Sequence, residues 1–157
     1  MQFAKDPVLI LKMKHDGLHL PWETIEGLCT LIKDQWAETM YRPDTILCLG
    51  RGGMIPSRLL AGEKTPVFFA GLRSYKDQEQ DVMEYYQHMI EPLNNKGTLV
   101  VDDLWDSGNT FTYAKRIWPD ATFASLMTKV PAEDTFLDYT GLSFPTKAWV
   151  HFPWEHM

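Results

Sequence analysis

The chain has 157 residues, a formal charge of -6, 45% apolar residues and 23% charged residues. One domain is expected, since a domain takes roughly 100–200 residues, and the mixture is that of a soluble globular protein rather than a disordered one. No apolar run approaches the roughly 20 residues of a membrane helix, and the acidic balance argues against sequence-independent nucleic-acid binding, which rests on neutralising phosphates with Lys and Arg.

Small phosphorylated ligands stay compatible with that charge, because backbone N–H groups and metal ions can hold them. Met1 to Lys14 alternates charged and apolar residues without a signal-peptide core. The two cysteines, Cys29 and Cys48, cannot build a disulfide framework. The expected setting is therefore reducing and cytoplasmic.

In chain order, Val8 to Met13 reads as a short edge strand or arm, and Asp16-Gly17 as a turn. From Pro21, Trp22, Ile25, Leu28, Cys29, Ile32 and Trp36 recur at three- and four-residue steps, which predicts a helix with one buried stripe. Arg42-Pro43-Asp44 ends it. Short apolar runs follow at Ile46 to Leu49, Val67 to Ala70, Leu99 to Val101, Phe123 to Met127 and Ala148 to Val150. They do not alternate clearly, as expected for strands buried on both faces. Helices are predicted over Pro56 to Gly62 and Phe111 to Trp118, and the acidic stretch Lys76 to Asn95 reads as a helix or a flap. Strands alternating with helices predict an α/β fold with a mainly parallel central sheet flanked by helices. Ligands of such sheets bind at the carboxyl ends of the strands.

The segment Thr98 to Thr110 concentrates the chemistry. An apolar strand delivers Asp102 and Asp103, a turn adds Asp106, and Ser107-Gly108-Asn109-Thr110 opens a helix. Hydroxyls and N–H groups converging at a helix N-terminus suit a phosphate monoester. Carboxylates beside such a pocket repel the ligand unless Mg²⁺ or sugar hydroxyls intervene. An acidic pair alone is most simply a solvated helix cap; the whole strand–acids–turn–helix pattern is not. Upstream, Leu49-Gly50-Arg51-Gly52-Gly53 ends a strand with glycines that permit close approach to an anion. The histidines at 15, 19, 88, 151 and 156 show no metal-ligand spacing.

The Thr98–Thr110 segment resembles the phosphoribosyl pyrophosphate signature of type I phosphoribosyltransferases, departing at Trp105, Ser107 and Asn109. The Arg51-Gly52-Gly53 turn resembles the pyrophosphate loop of the six-oxopurine branch, and Ser74-Tyr75 resembles the pair that opens its flexible loop. Lys129 and the closing run Trp149-Val150-His151-Phe152-Pro153-Trp154-Glu155 resemble the base pocket of the bacterial xanthine-guanine enzymes, with His151 in place of an acidic residue. The resemblance spans residues 18–157 and leaves 1–17 as an N-terminal extension, with the terminal segments forming a small hood over the sheet.

What the resemblance implies is transfer of ribose 5-phosphate from phosphoribosyl pyrophosphate to guanine, xanthine or hypoxanthine, with Mg²⁺, in purine salvage. Ser107, Gly108, Asn109 and Thr110 would grip the 5′-phosphate, while Asp102 and Asp103 would face the ribose. Arg51 and Gly52, with Ser74 and Tyr75, would hold pyrophosphate. Asp106 would handle the proton at N7, Lys129 would read O6, Trp149 would stack on the base and Val150 would offer its backbone. Asp103 and Glu155 would contact metal. The implied partners are phosphoribosyl pyrophosphate, a purine base and further copies of the chain in a homodimer or homotetramer, with no nucleic acid and no membrane. The alternative is a phosphoribosyltransferase-fold regulator that binds nucleotide or phosphoribosyl pyrophosphate without turnover.

Overall fold

The structure is a computed structural model and describes residues 7–72 and 88–156. The chain enters across α1 (Trp22–Glu38). Thr24 Oγ1 donates to the Ile10 carbonyl at 2.6 Å and accepts from the Ile10 N–H at 3.0 Å, which ties this arm down. Strands β1 (Lys12–Lys14) and β2 (Gly17–His19) then form an antiparallel hairpin. Pro21 stands just before α1 with an extended backbone, and the buried stripe of Ile25, Leu28, Cys29, Ile32 and Trp36 follows the periodicity of the sequence. Both cysteines are free and buried, and burial pushes each thiol up to about 11.

Five strands form the central sheet: β3 (Thr45–Leu49), β4 (Val67–Ala70), β5 (Thr98–Trp105), β6 (Thr122–Thr128) and β7 (Tyr139–Ser143). All pairings are parallel and the spatial order is β4-β3-β5-β6-β7. Alternate residues of the central strands serve opposite faces. Ile46, Leu99, Val101, Ala124 and Leu126 pack with α1, while Leu47, Leu49, Val100 and Phe123 pack with α3 (Asn109–Ile117) and Trp118. From β3 the chain passes through α2 (Met54–Leu60) to β4 on one side, then returns to β5 on the other. The crevice at the carboxyl ends of β3 and β5 is thus the switch point where open parallel sheets take their ligands.

A second sheet runs β1-β2-β8, where β8 (Val150–His151) pairs parallel with β2. It joins the two ends of the chain into a small hood. Leu18 and Val150 are buried beneath it.

Three expectations need correction. Val67, Phe68 and Phe69 are exposed rather than buried on both faces, because β4 is the edge of the sheet. The run Ala148 to Val150 is not a central strand: only Val150–His151 is extended, and it belongs to the hood. Strand β5 does not stop before the acids but carries Asp102 and Asp103 within it, ending at Trp105. Strand β7 (Tyr139–Ser143) lies outside the apolar runs named above. Of the stretch 76–95, residues 88–93 are helical, and the part before residue 88 lies outside the described residues.

Candidate active site

At the end of β3, Gly50 adopts φ +50°, and the chain turns through Arg51, Gly52 and Gly53 into α2. The turn lies against β5. A Cβ on Gly52 would come within 2.6 Å of both Asp103 carboxylate oxygens, so a side chain there would force that acid to move. Arg51 is exposed at the mouth. Arg51, Gly52, Ile55, Asp103, Trp154 and Glu155 line a cleft of about 760 Å³.

Asp102 and Asp103 are half-buried at this edge, and Asp102 Oδ1 accepts the Asp103 N–H at 2.8 Å. Burial, reinforced by the Asp103 charge, holds the Asp102 carboxyl well above the ordinary range. Burial also raises Asp103, and the Glu155 charge adds to it. Carboxylates crowded in this way favour a proton or a cation among them.

Beyond β5 the turn places Asp106 and Ser107 in solvent and Gly108 in the left-handed region at φ +83°. The Ser107 hydroxyl accepts the Asn109 N–H at 3.3 Å. Thr110 is half-buried in the first turn of α3, where the N–H groups lack intrahelical acceptors. The departure at Trp105 has a packing reason. Its indole is buried and stacks on Phe111 with centroids 5.3 Å apart. It also fills the space that a side chain at Gly108 would need, 2.6 Å from the missing Cβ.

The Lys129 N–H donates to the Trp105 carbonyl at 2.9 Å, which ties the end of β6 to the end of β5. That tie brings Lys129 Nζ to 3.7 Å from Asp106 Oδ1. The lysine side chain is only 9% exposed, against 62% for the aspartate. The Lys129 carbonyl in turn accepts the Thr146 N–H at 3.1 Å, three residues before Trp149. Trp149 is 64% exposed, so its indole is not a core group. Its carbonyl accepts the Leu18 N–H at 2.7 Å, and the His151 carbonyl accepts the Leu20 N–H at 3.0 Å. By strand alternation the Val150 carbonyl faces the other way, along the open edge of β8.

The structure thus gathers Arg51, Gly52, Asp103 and Glu155 on one cleft, and pairs Asp106 with Lys129 beside the Ser107–Thr110 turn. Ser74 and Tyr75 lie outside the described residues. Ile55 and Trp154 also line the cleft; Trp154 lies in the closing run, and Ile55 lies two residues past the Arg51-Gly52-Gly53 turn. The histidine spacing concealed a cluster: His19 and His151 meet at Asp16 across the hood.

Residues 23–120 match the phosphoribosyl transferase domain. The chain belongs to the phosphoribosyltransferase family. It is 30% identical over 170 residues to a xanthine-guanine phosphoribosyltransferase of Ruegeria sp. (strain TM1040), covering 97% of this chain and 92% of that protein. Two solved structures share its fold. A purine phosphoribosyltransferase from Pyrococcus horikoshii Ot3 has a TM-score of 0.62 at 20% identity, covering 87% of this chain and 91% of that one. Helicobacter pylori xanthine-guanine-hypoxanthine phosphoribosyltransferase has a TM-score of 0.58 at 22% identity, covering 87% of this chain and 92% of that one. Family membership makes the chain an enzyme of the glycosyltransferase kind. No helix among the described residues is long and apolar enough to cross a membrane.

Proposed function

We propose that the chain transfers the 5-phosphoribosyl group from phosphoribosyl pyrophosphate to N9 of a six-oxopurine, releasing pyrophosphate and a nucleoside monophosphate. The observation that carries this reading is the Lys129–Asp106 pair at 3.7 Å. A six-oxopurine presents O6 and N7 side by side on one edge. Lys129 donates to O6, and Asp106 holds or accepts the proton at N7. Adenine would set its amino hydrogens against the lysine, which disfavours it. The xanthine-guanine relative supports the same base class.

The other roles follow from position. The Ser107–Thr110 turn and the start of α3 bind the 5′-phosphate. Asp102 and Asp103 face the ribose hydroxyls, and Arg51 with the Gly52 backbone binds pyrophosphate. Ser74 and Tyr75 are proposed to cover it. Trp149 stacks on the base, and the Val150 backbone reads the ring edge.

The acids fit a divalent ion. Asp103 carries a carboxylate pressed against backbone at Gly52, with Glu155 on the same cleft and both facing the solvent side. Mg²⁺ held there would neutralise pyrophosphate oxygens as the glycosidic bond breaks. The chain's own task is positional and electrostatic: it aligns the base with the ribose carbon and excludes water. Residues 18–157 are read as the catalytic domain, 1–17 as an extension, and the working state as a homodimer or homotetramer in the cytoplasm.

The test is direct. With Mg²⁺ and phosphoribosyl pyrophosphate, at least one of guanine, xanthine and hypoxanthine is converted to its nucleotide, and adenine is not. No product from any of them would overturn the reading and leave the non-catalytic regulator.

A further inference from the structure

The turn between β1 and β2 carries a cluster that the chemistry above does not use. Asp16 Oδ1 lies 2.8 Å from His19 Nε2. His151 Nε2 donates to the Asp16 carbonyl at 3.0 Å, with the second carboxylate oxygen 3.7 Å away. The two imidazoles stack with centroids 4.3 Å apart and planes 15° apart, because His19 and His151 are register partners in β2 and β8. Lys12 is the partner of His19 on the other side. The next residue, Gly17, has φ +137°, and any Cβ there would collide with the Trp149 carbonyl and crowd the His151 ring.

Ligand atoms of Asp16, His19 and His151 lie within 4.8 Å of one another. A shared metal ion nevertheless fits poorly. Imidazole binds metal along a lone pair in its ring plane, and two nearly parallel stacked planes do not meet near both nitrogens. What the geometry does achieve is to fasten β8 to the hairpin. Strand β8 has only two residues in register with β2, Leu18↔Val150 and His19↔His151. So short a ladder is weakly held by its own hydrogen bonds. The flanking residue Trp149 is largely exposed.

We propose that Asp16, with His19 and His151, is a positioning clamp for the purine side of the site. It holds β8 against the hairpin so that Trp149 presents its ring and Val150 its backbone edge to the base. The proposal rests on the six-oxopurine reading. It also gives the extension before residue 18 a task, since Asp16 and Gly17 belong to it.

The experiment compares the wild type with Asp16→Ala and Asp16→Asn. KM for the purine is measured at saturating phosphoribosyl pyrophosphate, KM for phosphoribosyl pyrophosphate at saturating purine, and thermal midpoints in parallel. Asp16→Ala leaves the backbone carbonyl that His151 donates to but removes the bond that fixes the His19 ring stacked on His151, and is expected to raise the purine KM by up to about tenfold, the worth of one well-formed hydrogen bond, with the other KM and kcat held. Asp16→Asn keeps an oxygen acceptor for His19 and restores most of the purine affinity. Equal rises in both KM values, no rise in either, or no rescue by Asn would overturn the clamp. A wild-type protein that converts no purine would instead overturn the reading beneath it, so the two failures are told apart.

Discussion

The two ends of the proposed site, one for phosphate and one for purine, are built in different ways. The phosphate end stands on β3 and β5, strands flanked by neighbours on both sides and by helices on both faces. Its glycines are fixed by contact: Gly52 by Asp103, Gly53 by the backbone of β5, Gly108 by Trp105. The purine end stands on the two-residue strand β8, whose partner comes from the opposite end of the chain. Its aromatic residue, Trp149, is exposed. On that assignment phosphate binding draws on the rigidity of the core, whereas base binding draws on a few side-chain ties across a small sheet. Damage to those glycine turns should cost stability and donor affinity together. Damage at the purine end should cost base affinity alone.

The largest effect is expected where the two ends meet. Asp106→Asn should lower kcat by about 10²- to 10³-fold, within the range of general acid–base catalysis, while phosphoribosyl pyrophosphate binding measured calorimetrically stays intact. An unchanged kcat would remove Asp106 from the chemistry.

Next comes Gly108→Ala. The change forces a side chain into φ +83° and against the Trp105 ring. A loss of about 2–3 kcal/mol is expected from combined strain and overpacking. It would be read as a lower denaturation midpoint with a raised KM for phosphoribosyl pyrophosphate. A variant as stable as the wild type would mean that the turn is not held as tightly as the core beneath it.

Trp149→Ala tests the other end. Stacking of a base on an aromatic ring is worth roughly 1–3 kcal/mol, so the purine KM should rise about tenfold or more with an unchanged thermal midpoint. If stability falls as well, the indole belongs to the fold and the contrast between the ends fails.

The smallest effect concerns the raised acids. Asp102 and Asp103 bind protons more tightly folded than unfolded, chiefly through burial. Without Mg²⁺, stability should fall as pH rises from the ordinary carboxylate range through the raised values, because the folded state must then give up protons that the unfolded state has already lost. Asp102→Asn removes much of that penalty. Its thermal midpoint should exceed the wild type's by a few degrees near neutral pH and vary less with pH. A wild-type profile that is flat, or one that rises, would contradict the burial of these acids.

The proposed phosphate end is marked in the sequence because the residues assigned to it are local. Asp102, Asp103, Asp106 and the Ser107–Thr110 turn lie within nine residues, and the strand and helix around them carry their own periodicity. Composition and strand–helix alternation pointed to the parallel α/β sheet for the same reason: helix stripes and apolar runs are short-range patterns. The order β4-β3-β5-β6-β7, which opens the crevice beside Asp103, is a matter of long-range pairing and carries no local mark. Edge position explains why Val67 to Phe69 read as core yet lie exposed.

The sequence by itself determined which residue types could bind a sugar phosphate and where along the chain they fall. Only the tertiary structure decided that Lys129 faces Asp106, that Glu155 reaches the cleft of Asp103, and that Asp16 gathers His19 and His151. Apart from Asp16 and His19, three positions apart, those meetings join residues separated by many positions. They follow from parallel register and from the two chain ends sharing one sheet, neither of which leaves a periodic trace in the residues concerned.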